Sequence, residues 1–467
     1  MKKSVLSTEP YKGVRDFFPA DMAAERKIFD IWRKTVEKYG YEEYGASVLE
    51  PAELYRAKSG EELVNEQTYT FTDRGDRQVT LRPEMTPTVA RMVSAKRREL
   101  SFPLRWYSIP NLFRYEQPQR GRLREHWQLN VDIFGVESIN AEIEIISIAH
   151  DIVCAYGLKE NDFEIRINNR KLMNYLFKEV FGLNEEATKK MSRLIDKKNK
   201  ISKEDFEKGV REVFDNLTIT SPRPLGESSS PFVSQAKVGR LLPPVGAANG
   251  KLSDKLLSLL NSQTLEELSS QLPKNVGENE GIKEIQNVIQ NLEKLGITNV
   301  RFDQSLMRGF DYYTGIVFEI FDQNPVNKRS VFGGGRYDDL LSIFGGDKIP
   351  AVGFGAGDVA ARDLMETYGN ISETDSSADL YICTIGKQNI SYALKLAQKL
   401  RQNETRVTVD FSEKKVGDQI ASAVKYGIPK VICIGDEEVK TTKFKIKTLE
   451  TGQEVTVQEE ELIKSLL

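Results

Sequence analysis

His126, Gln128, Asn130 and Asp132 alternate with Trp127, Leu129, Val131 and Ile133, the period-two pattern of a strand with one polar and one apolar face. Upstream, Arg114 and Glu116 share a face opposite Phe113 and Tyr115. If residues 106–135 form two paired strands, a guanidinium, two carboxylates, an amide and an imidazole converge on one side of a sheet. Such a set can orient a polar substrate and neutralise anionic oxygens. The loop between the strands, residues 117–124, carries Arg120, Arg122 and Arg124 without a matching run of acids, and planar guanidinium forks suit the oxygens of a polyphosphate or nucleic acid backbone. An edge hairpin with one solvated face would also account for the alternation, but it gives no reason for the basic loop.

Other elements must hold these residues. Residues 20–39 place Ile28, Ile31, Trp32, Val36 and Tyr39 at helical spacing, which predicts a long amphipathic helix. Residues 69–87 read as two short strands around Arg74-Gly75-Asp76, and Thr86-Pro87 reads as a helix start with a capping hydroxyl. Glu84 then lies just ahead of a helix amino terminus, which favours a carboxylate. Residues 160–299 are mostly helical in pattern, apart from the Ser-, Pro- and Gly-rich stretch 221–250, which reads as irregular. Within them Lys189, Lys190, Arg193, Lys197, Lys198 and Lys200 form a basic run, for which a solvated helix face competes with a phosphate contact. Residues 351–365 read as a glycine-rich strand entering a helix. After a polar stretch, 370–377, strand-like runs at 380–385, 406–410 and 430–434 alternate with helical patterns at 391–401 and 416–426, predicting a small α/β domain with parallel strands.

The chain has 467 residues, room for two or three domains. Lys and Arg number 66 and Asp and Glu 69, so any nucleic acid contact must come from local patches. Cys154, Cys383 and Cys433 lie far apart, which excludes a disulfide scaffold and a zinc ribbon and fits a reducing cytoplasm. His126 and His150 are the only histidines, too few for a histidine-based metal site and poor material for a Ser-His-Asp triad. The start MKKSVLSTEPYKG has no apolar core of a signal peptide, and no stretch approaches membrane-spanning length.

FRYE, a basic loop and a polar-faced strand together resemble motif 2 of the class II aminoacyl-tRNA synthetases. Residues 306–319, LMRGFDYYTGIVFE, carry R-G-x-D-Y-Y-T-G from Arg308, which closely resembles the first histidine-specific signature of the histidyl-tRNA synthetases. FGGGRYD at 332–338 resembles the second, and the glycine-rich strand corresponds to motif 3. The resemblance implies an α+β class II synthetase core, an antiparallel sheet flanked by helices, with a helical insertion and a C-terminal α/β anticodon-binding domain. The core would span 1–160 (motifs 1 and 2) and 300–369, the insertion 161–299, the linker 370–377 and the anticodon-binding domain 378–467. The implied reaction activates L-histidine with ATP and transfers it from the adenylate to the 3′ end of tRNA(His). Motif 1, the long helix, would pack across a homodimer interface, and the insertion would clamp the tRNA acceptor stem.

By position within these motifs, Arg114 and Arg308 would grip the α-phosphate from opposite sides and also contact histidine. Glu84, Met85, Thr86 and Gln128 would surround the amino acid's α-amino end, and Asp132, Tyr312 and Tyr313 its imidazole. Arg114, Glu116, Arg122, His126 and Arg308 would bind ATP, with Glu116 on the adenine amino group and Arg122 on the outer phosphates, while Mg²⁺ bridges the pyrophosphate oxygens. Gln119 and Arg120 would meet the tRNA acceptor end.

Three positions depart from the pattern. His126 replaces a stacking phenylalanine, Asp132 replaces the usual Glu, and Ala360 stands where the class has an arginine. Arg362 is near, but two residues along a helix turn it by about 200°. A catalytically silent paralogue, such as the regulatory subunit of ATP phosphoribosyltransferase, shares the core; it lacks the anticodon domain and typically loses both signatures, which this chain keeps.

Overall fold

The structure is a computed structural model. It describes residues 6–56, 67–118, 121–198, 201–215, 248–262, 264–272, 279–307, 312–327, 330–371, 376 and 378–466. Gln119, Arg120, Lys200, Arg308, Gly309, Asp311 and nearly all of the Ser-, Pro- and Gly-rich stretch lie outside these. The chain divides into two units, residues 1–16 with 25–371 and residues 17–24 with 372–467.

Helix α1 (Pro19–Glu37) buries Ile28, Trp32 and Val36 completely. It ends before Tyr39 because the chain turns at Gly40, whose φ of 76° suits a residue without a side chain. The first unit then builds a nine-stranded sheet from β1 (Glu42–Glu43), β5 (Leu104–Ser108), β6 (Asn111–Phe113), β7 (Glu125–Phe134), β8 (Phe163–Asn169), β9 (Val300–Phe302), β10 (Ile316–Asp322), β11 (Ser330–Arg336) and β12 (Ala351–Gly357). The order is β1-β5-β7-β12-β11-β10-β8-β9, with β6 also on β7. Pairing is antiparallel except at the margins, β1 with β5 and β8 with β9. A smaller sheet, β2 (Leu49–Pro51), β4 (Gln78–Leu81) and β3 (Tyr69–Thr72), leads into helix α2 (Thr86–Lys96).

Strand β7 is central rather than an edge, paired with β5 and β12 on its two sides. Leu129, Val131 and Ile133 pack into the main core with α1 and helix α3 (Asn140–Ala155). The opposite face is also buried, since Asn130 and Asp132 are about as inaccessible as the apolar residues. The solvated-hairpin reading is therefore corrected: this polar face looks inward.

The first strand of the expected hairpin is split. Pro110 has no N–H to give the ladder, so β5 and β6 are separate, and residues 114–118 form no strand. The Arg114/Glu116 alternation thus does not continue the sheet; the Arg114 amide instead reaches the Arg124 carbonyl at 2.9 Å. At α2 the expected cap also differs. Met85 occupies the cap position in a helical conformation and makes no side-chain bond there, while Thr86 is already the first helical residue, so its hydroxyl does not cap. Strand β8 lies in the stretch expected to be a helical insertion, yet it pairs along its length with β10; seven residues of alternation flanked by helical patterns carry too little periodicity to stand out. The helices of that stretch include α4 (Glu185–Asp196), α5 (Lys203–Asp215) and α6 (Glu280–Lys294), whose buried residues extend the main core. In the basic run, Lys190 pairs with Glu186 at 2.8 Å and Lys198 donates to the Leu260 carbonyl at 2.6 Å, so both cations have structural partners.

Motif 3 forms as expected, β12 entering helix α7 (Asp358–Thr367). Its glycines make room for the polar face of β7. A Cβ on Gly353 would lie 2.1 Å from Asp132 Oδ1, and one on Gly355 would lie 2.8 Å from the Gln128 amide. On the next strand a Cβ on Gly334 would fall 2.0 Å from the Gly353 carbonyl. Any side chain here would fill the space the polar groups occupy.

The second unit is a five-stranded sheet, β14 (Val407–Val409), β13 (Leu380–Thr384), β15 (Lys430–Ile434), β16 (Lys443–Thr448) and β17 (Glu454–Gln458) in that order. Strand β13 pairs in parallel with β14 and β15, as the strand–helix alternation requires, and β16 and β17 add an antiparallel hairpin. Leu380 and Ile382 pack under helix α8 (Ile390–Arg401), and Tyr381 and Cys383 under helix α9 (Val416–Lys425) on the other face.

Candidate active site

A cleft of about 1120 Å³ opens over the β7–β12 part of the large sheet. Arg114, Glu116, Arg122, His126 and Gln128 line one side, Gly355 and Gly357 the floor, and Asp358, Ala360 and Asp363 of α7 the end. Across from them stand Asp303, Leu306, Met307 and Phe332, with Ile195 and Asp196 contributed by α4. Five of the residues expected from sequence to bind ATP or histidine are thus brought together. Arg114 Nε donates to the Pro83 carbonyl at 2.9 Å, which ties the guanidinium to the residue before Glu84. Arg122 lies 3.6 Å from Glu116 and stays half exposed.

Of the residues expected around the histidine substrate, Arg114 and Gln128 line this cleft, whereas Glu84, Met85, Thr86, Asp132, Tyr312 and Tyr313 do not. They form a buried cluster further along the same face of β7: Asp132 is four residues from Gln128, roughly 13 Å along the strand. Tyr337 donates to Asp132 Oδ1, and the Tyr312 hydroxyl lies 3.4 Å from Glu84 Oε2. Burial pushes the Asp132 carboxyl up to about 7 against the opposing effect of the Tyr337 bond. Met85 is buried at the foot of α2 and Thr86 is partly exposed on its first turn. Tyr313 packs beside Tyr312, ring centres 4.9 Å apart, in an apolar cluster with Val89, Val317 and Leu340. The chain passes from Met307 in the cleft to Tyr312 in the cluster through Arg308–Asp311, outside the described residues.

Sequence reasoning missed several participants. Tyr337, which orients Asp132, belongs to the second signature, and spacing alone does not assign it a role. Arg336 beside it grips Glu142 through two bonds of 2.6 Å, a buried clamp holding β11 to α3. At the α7 end of the cleft, Asp358 accepts from the Trp127 amide at 2.9 Å and from Arg15. The fully buried Glu25 lies against Asp358; burial first and the Asp358 charge second raise its carboxyl to about 8. Burial, then Arg114 and Arg15, lower the His126 imidazole to about 3, so it is a neutral aromatic ring at physiological pH. Arg362 bonds to Glu366 at 2.8 Å and does not line the cleft. No local pattern joins Arg15 to Asp358, because they are 343 residues apart.

Among the described residues no three His, Cys, Asp or Glu side chains are grouped to hold a metal ion. A resident Mg²⁺ centre therefore does not fit them.

An antiparallel sheet carrying an arginine-bearing loop, a polar central strand and a glycine-rich strand running into a helix, in a chain with a separate α/β unit, defines a class II aminoacyl-tRNA synthetase architecture. The histidyl-tRNA synthetase family model matches residues 13–359 and the anticodon binding domain model residues 379–467. A histidine–tRNA ligase of Leptospira biflexa is 38% identical over 100% of this chain and 99% of its own length. Another, of Thermoplasma volcanium, is 33% identical over 99% of each. The chain belongs to the histidyl-tRNA synthetase family.

Solved structures agree on the fold. The histidyl-tRNA synthetase of Nostoc sp. PCC 7120 superposes with a TM-score of 0.79 at 22% identity, covering 99% of both chains. A protein of Bacillus halodurans C described as an ATP phosphoribosyltransferase regulatory subunit/histidyl-tRNA synthetase gives 0.71 at 23% identity, over 92% of this chain and 98% of its own. Shape alone does not separate the ligase from the silent paralogue; the full-length sequence relatives favour the ligase.

Proposed function

We propose that the protein joins L-histidine to tRNA(His) in two steps, using the buried cluster for the amino acid and the open cleft for ATP. The observation that carries this reading is adjacency: Asp132 with Tyr337, and Tyr312 with Glu84, make one buried cluster, while Gln128 on the same strand face and Arg114, bonded to the residue before Glu84, line the cleft. In the first step the histidine carboxylate attacks the α-phosphate of ATP. No protein nucleophile is needed, so rate comes from alignment and from cations where charge accumulates. Arg114 and Arg308 are read as the pair that holds this phosphorus, the second by its place in the signature. Glu116 takes the adenine amino group, and the neutral His126 ring offers the base a flat face.

Selection of histidine falls to Asp132, oriented by Tyr337. A site built to hydrogen-bond a polar side chain rejects analogues that leave its buried groups unpaired. Glu84, Met85, Thr86, Gln128, Tyr312 and Tyr313 complete the histidine end. Acidic residues outnumber the described arginines along the cleft, which suits a triphosphate that arrives with its own Mg²⁺. The second unit would read the tRNA anticodon arm, with Gln119 and Arg120 at the acceptor end. A homodimer in the cytoplasm follows the family reading; the apolar side of α1 is already used by Ile28, Trp32 and Val36 within one chain, so a second copy would meet its other side. No described helix is long and apolar enough to cross a membrane.

Histidine-dependent exchange of labelled pyrophosphate into ATP tests the proposal. Exchange is expected from this protein alone, and its absence with the fold intact would favour the silent paralogue.

A further inference from the structure

We propose that Tyr44, supported by Ser108, is a specificity-determining residue of the histidine end, its hydroxyl serving one imidazole nitrogen while Asp132 serves the other. This rests on reading that end as the amino acid pocket. Register places the groups on one side of the sheet: Glu42 is opposite Trp106, Trp106 opposite Asp132, and Ser108 opposite Asn130. Tyr44, two residues beyond Glu42, keeps that side; its amide donates to the Tyr107 carbonyl at 2.8 Å and its ring lies 5.7 Å from that of Trp106. The aromatic cluster it packs against contains Tyr312, Tyr313 and Tyr337.

The Tyr44 hydroxyl and Ser108 Oγ are both buried and interact with one another, and neither forms a well-aligned hydrogen bond. Leaving such groups poorly paired is costly, and both lie close to Asp132 on the same side of the sheet. Asp132 receives one hydrogen bond among the described residues, from Tyr337 at Oδ1, which leaves Oδ2 for an N–H. A neutral imidazole has one N–H to give and one nitrogen to accept. The carboxylate suits the first and a phenol hydroxyl the second. Burial and the nearby Asp132 charge hold the Tyr44 phenol well above its ordinary range, so it stays a donor. Ser108 can then donate to the Tyr44 oxygen, making a chain of bonds that closes when the ring is bound.

Tyr44→Phe deletes only the oxygen and tests this in the full-length protein. In pyrophosphate exchange it is expected to raise the histidine KM about 10- to 100-fold, the loss of one buried hydrogen bond, and to leave the ATP KM within about twofold. The ligand-free variant should melt close to the parent, because the lost hydroxyl is poorly paired in the free protein, while added histidine should raise its Tm less. Ser108→Ala should move the same quantities in the same direction by less, and serves if the Phe variant folds poorly. An unchanged histidine KM in Tyr44→Phe, with Asp132→Asn strongly impaired, would overturn the role of Tyr44 and leave the pocket standing. Normal histidine binding by Asp132→Asn would overturn both.

Discussion

The two ends of the active-site region are built on opposite plans. At the histidine end the polar groups are few and buried, and several already hold one another: Tyr337 with Asp132, and Tyr312 near Glu84. At the nucleotide end the cleft is open, Arg122 is half exposed, and the lining is rich in carboxylates. The difference matches what the two ends would recognise under the proposed function. Telling one amino acid side chain from another of similar size needs rigid hydrogen-bonding groups in a low-dielectric site. A triphosphate offers charge that long cationic side chains can reach from many positions, and on the proposed reading this is the end that carries His126 in place of a stacking ring and Ala360 in place of an arginine. It also carries a buried acid pair, Glu25 with Asp358, tied to the remote Arg15.

Three substitutions test this contrast. The largest effect is expected for Asp132→Asn, which puts an amide where an imidazole N–H needs an acceptor and disturbs the Tyr337 bond. The kcat/KM for histidine in pyrophosphate exchange should fall by about 10³-fold, with the ATP KM within about threefold; equal losses toward both substrates would mean that the ends are not separate. Next is Glu25→Gln at the nucleotide end. Because the folded carboxyl is raised to about 8, its contribution to stability is fully present below the unfolded value of about 4.5 and is lost as pH rises toward 8. The Gln variant does not titrate, so denaturant unfolding should show it gaining on the parent between pH 5 and 8, by roughly 1–3 kcal/mol. A difference independent of pH would remove the acid pair from the picture. The smallest effect belongs to Arg362→Ala. Its guanidinium is held by Glu366 on the flank of α7, so the ATP KM should stay within about twofold and stability within about 0.5 kcal/mol. A large rise in the ATP KM would show that this arginine replaces the one missing at Ala360.

Much of this arrangement was readable in the chain itself. Period-two alternation marked β7 and sorted its faces, because a strand leaves side chains no other choice of direction. Helical spacing marked α1, and the glycine-rich run before Asp358 marked β12 entering α7. The order of the motifs carried the family. Alternation could not say whether the face of His126, Gln128, Asn130 and Asp132 meets water or protein, since that depends on what packs over it. It also carried Arg114 and Glu116 one step too far, because Pro110 and the loop bonds of residues 113–116 end the pairing.

Residue type and spacing therefore determined which groups could do chemistry, and the tertiary structure decided their surroundings. Asp132 is short-range sequence information as a carboxylate on a strand, but its raised proton affinity arises from burial among β5, β12 and Tyr337, the last two more than two hundred residues away. The same holds for Arg15 beside Asp358, for the hydroxyl of Tyr44 beside Ser108, and for β8 inside a helical stretch. Desolvation and electrostatic interaction depend on distance through space, and chain folding sets that distance without leaving a local pattern in the residues.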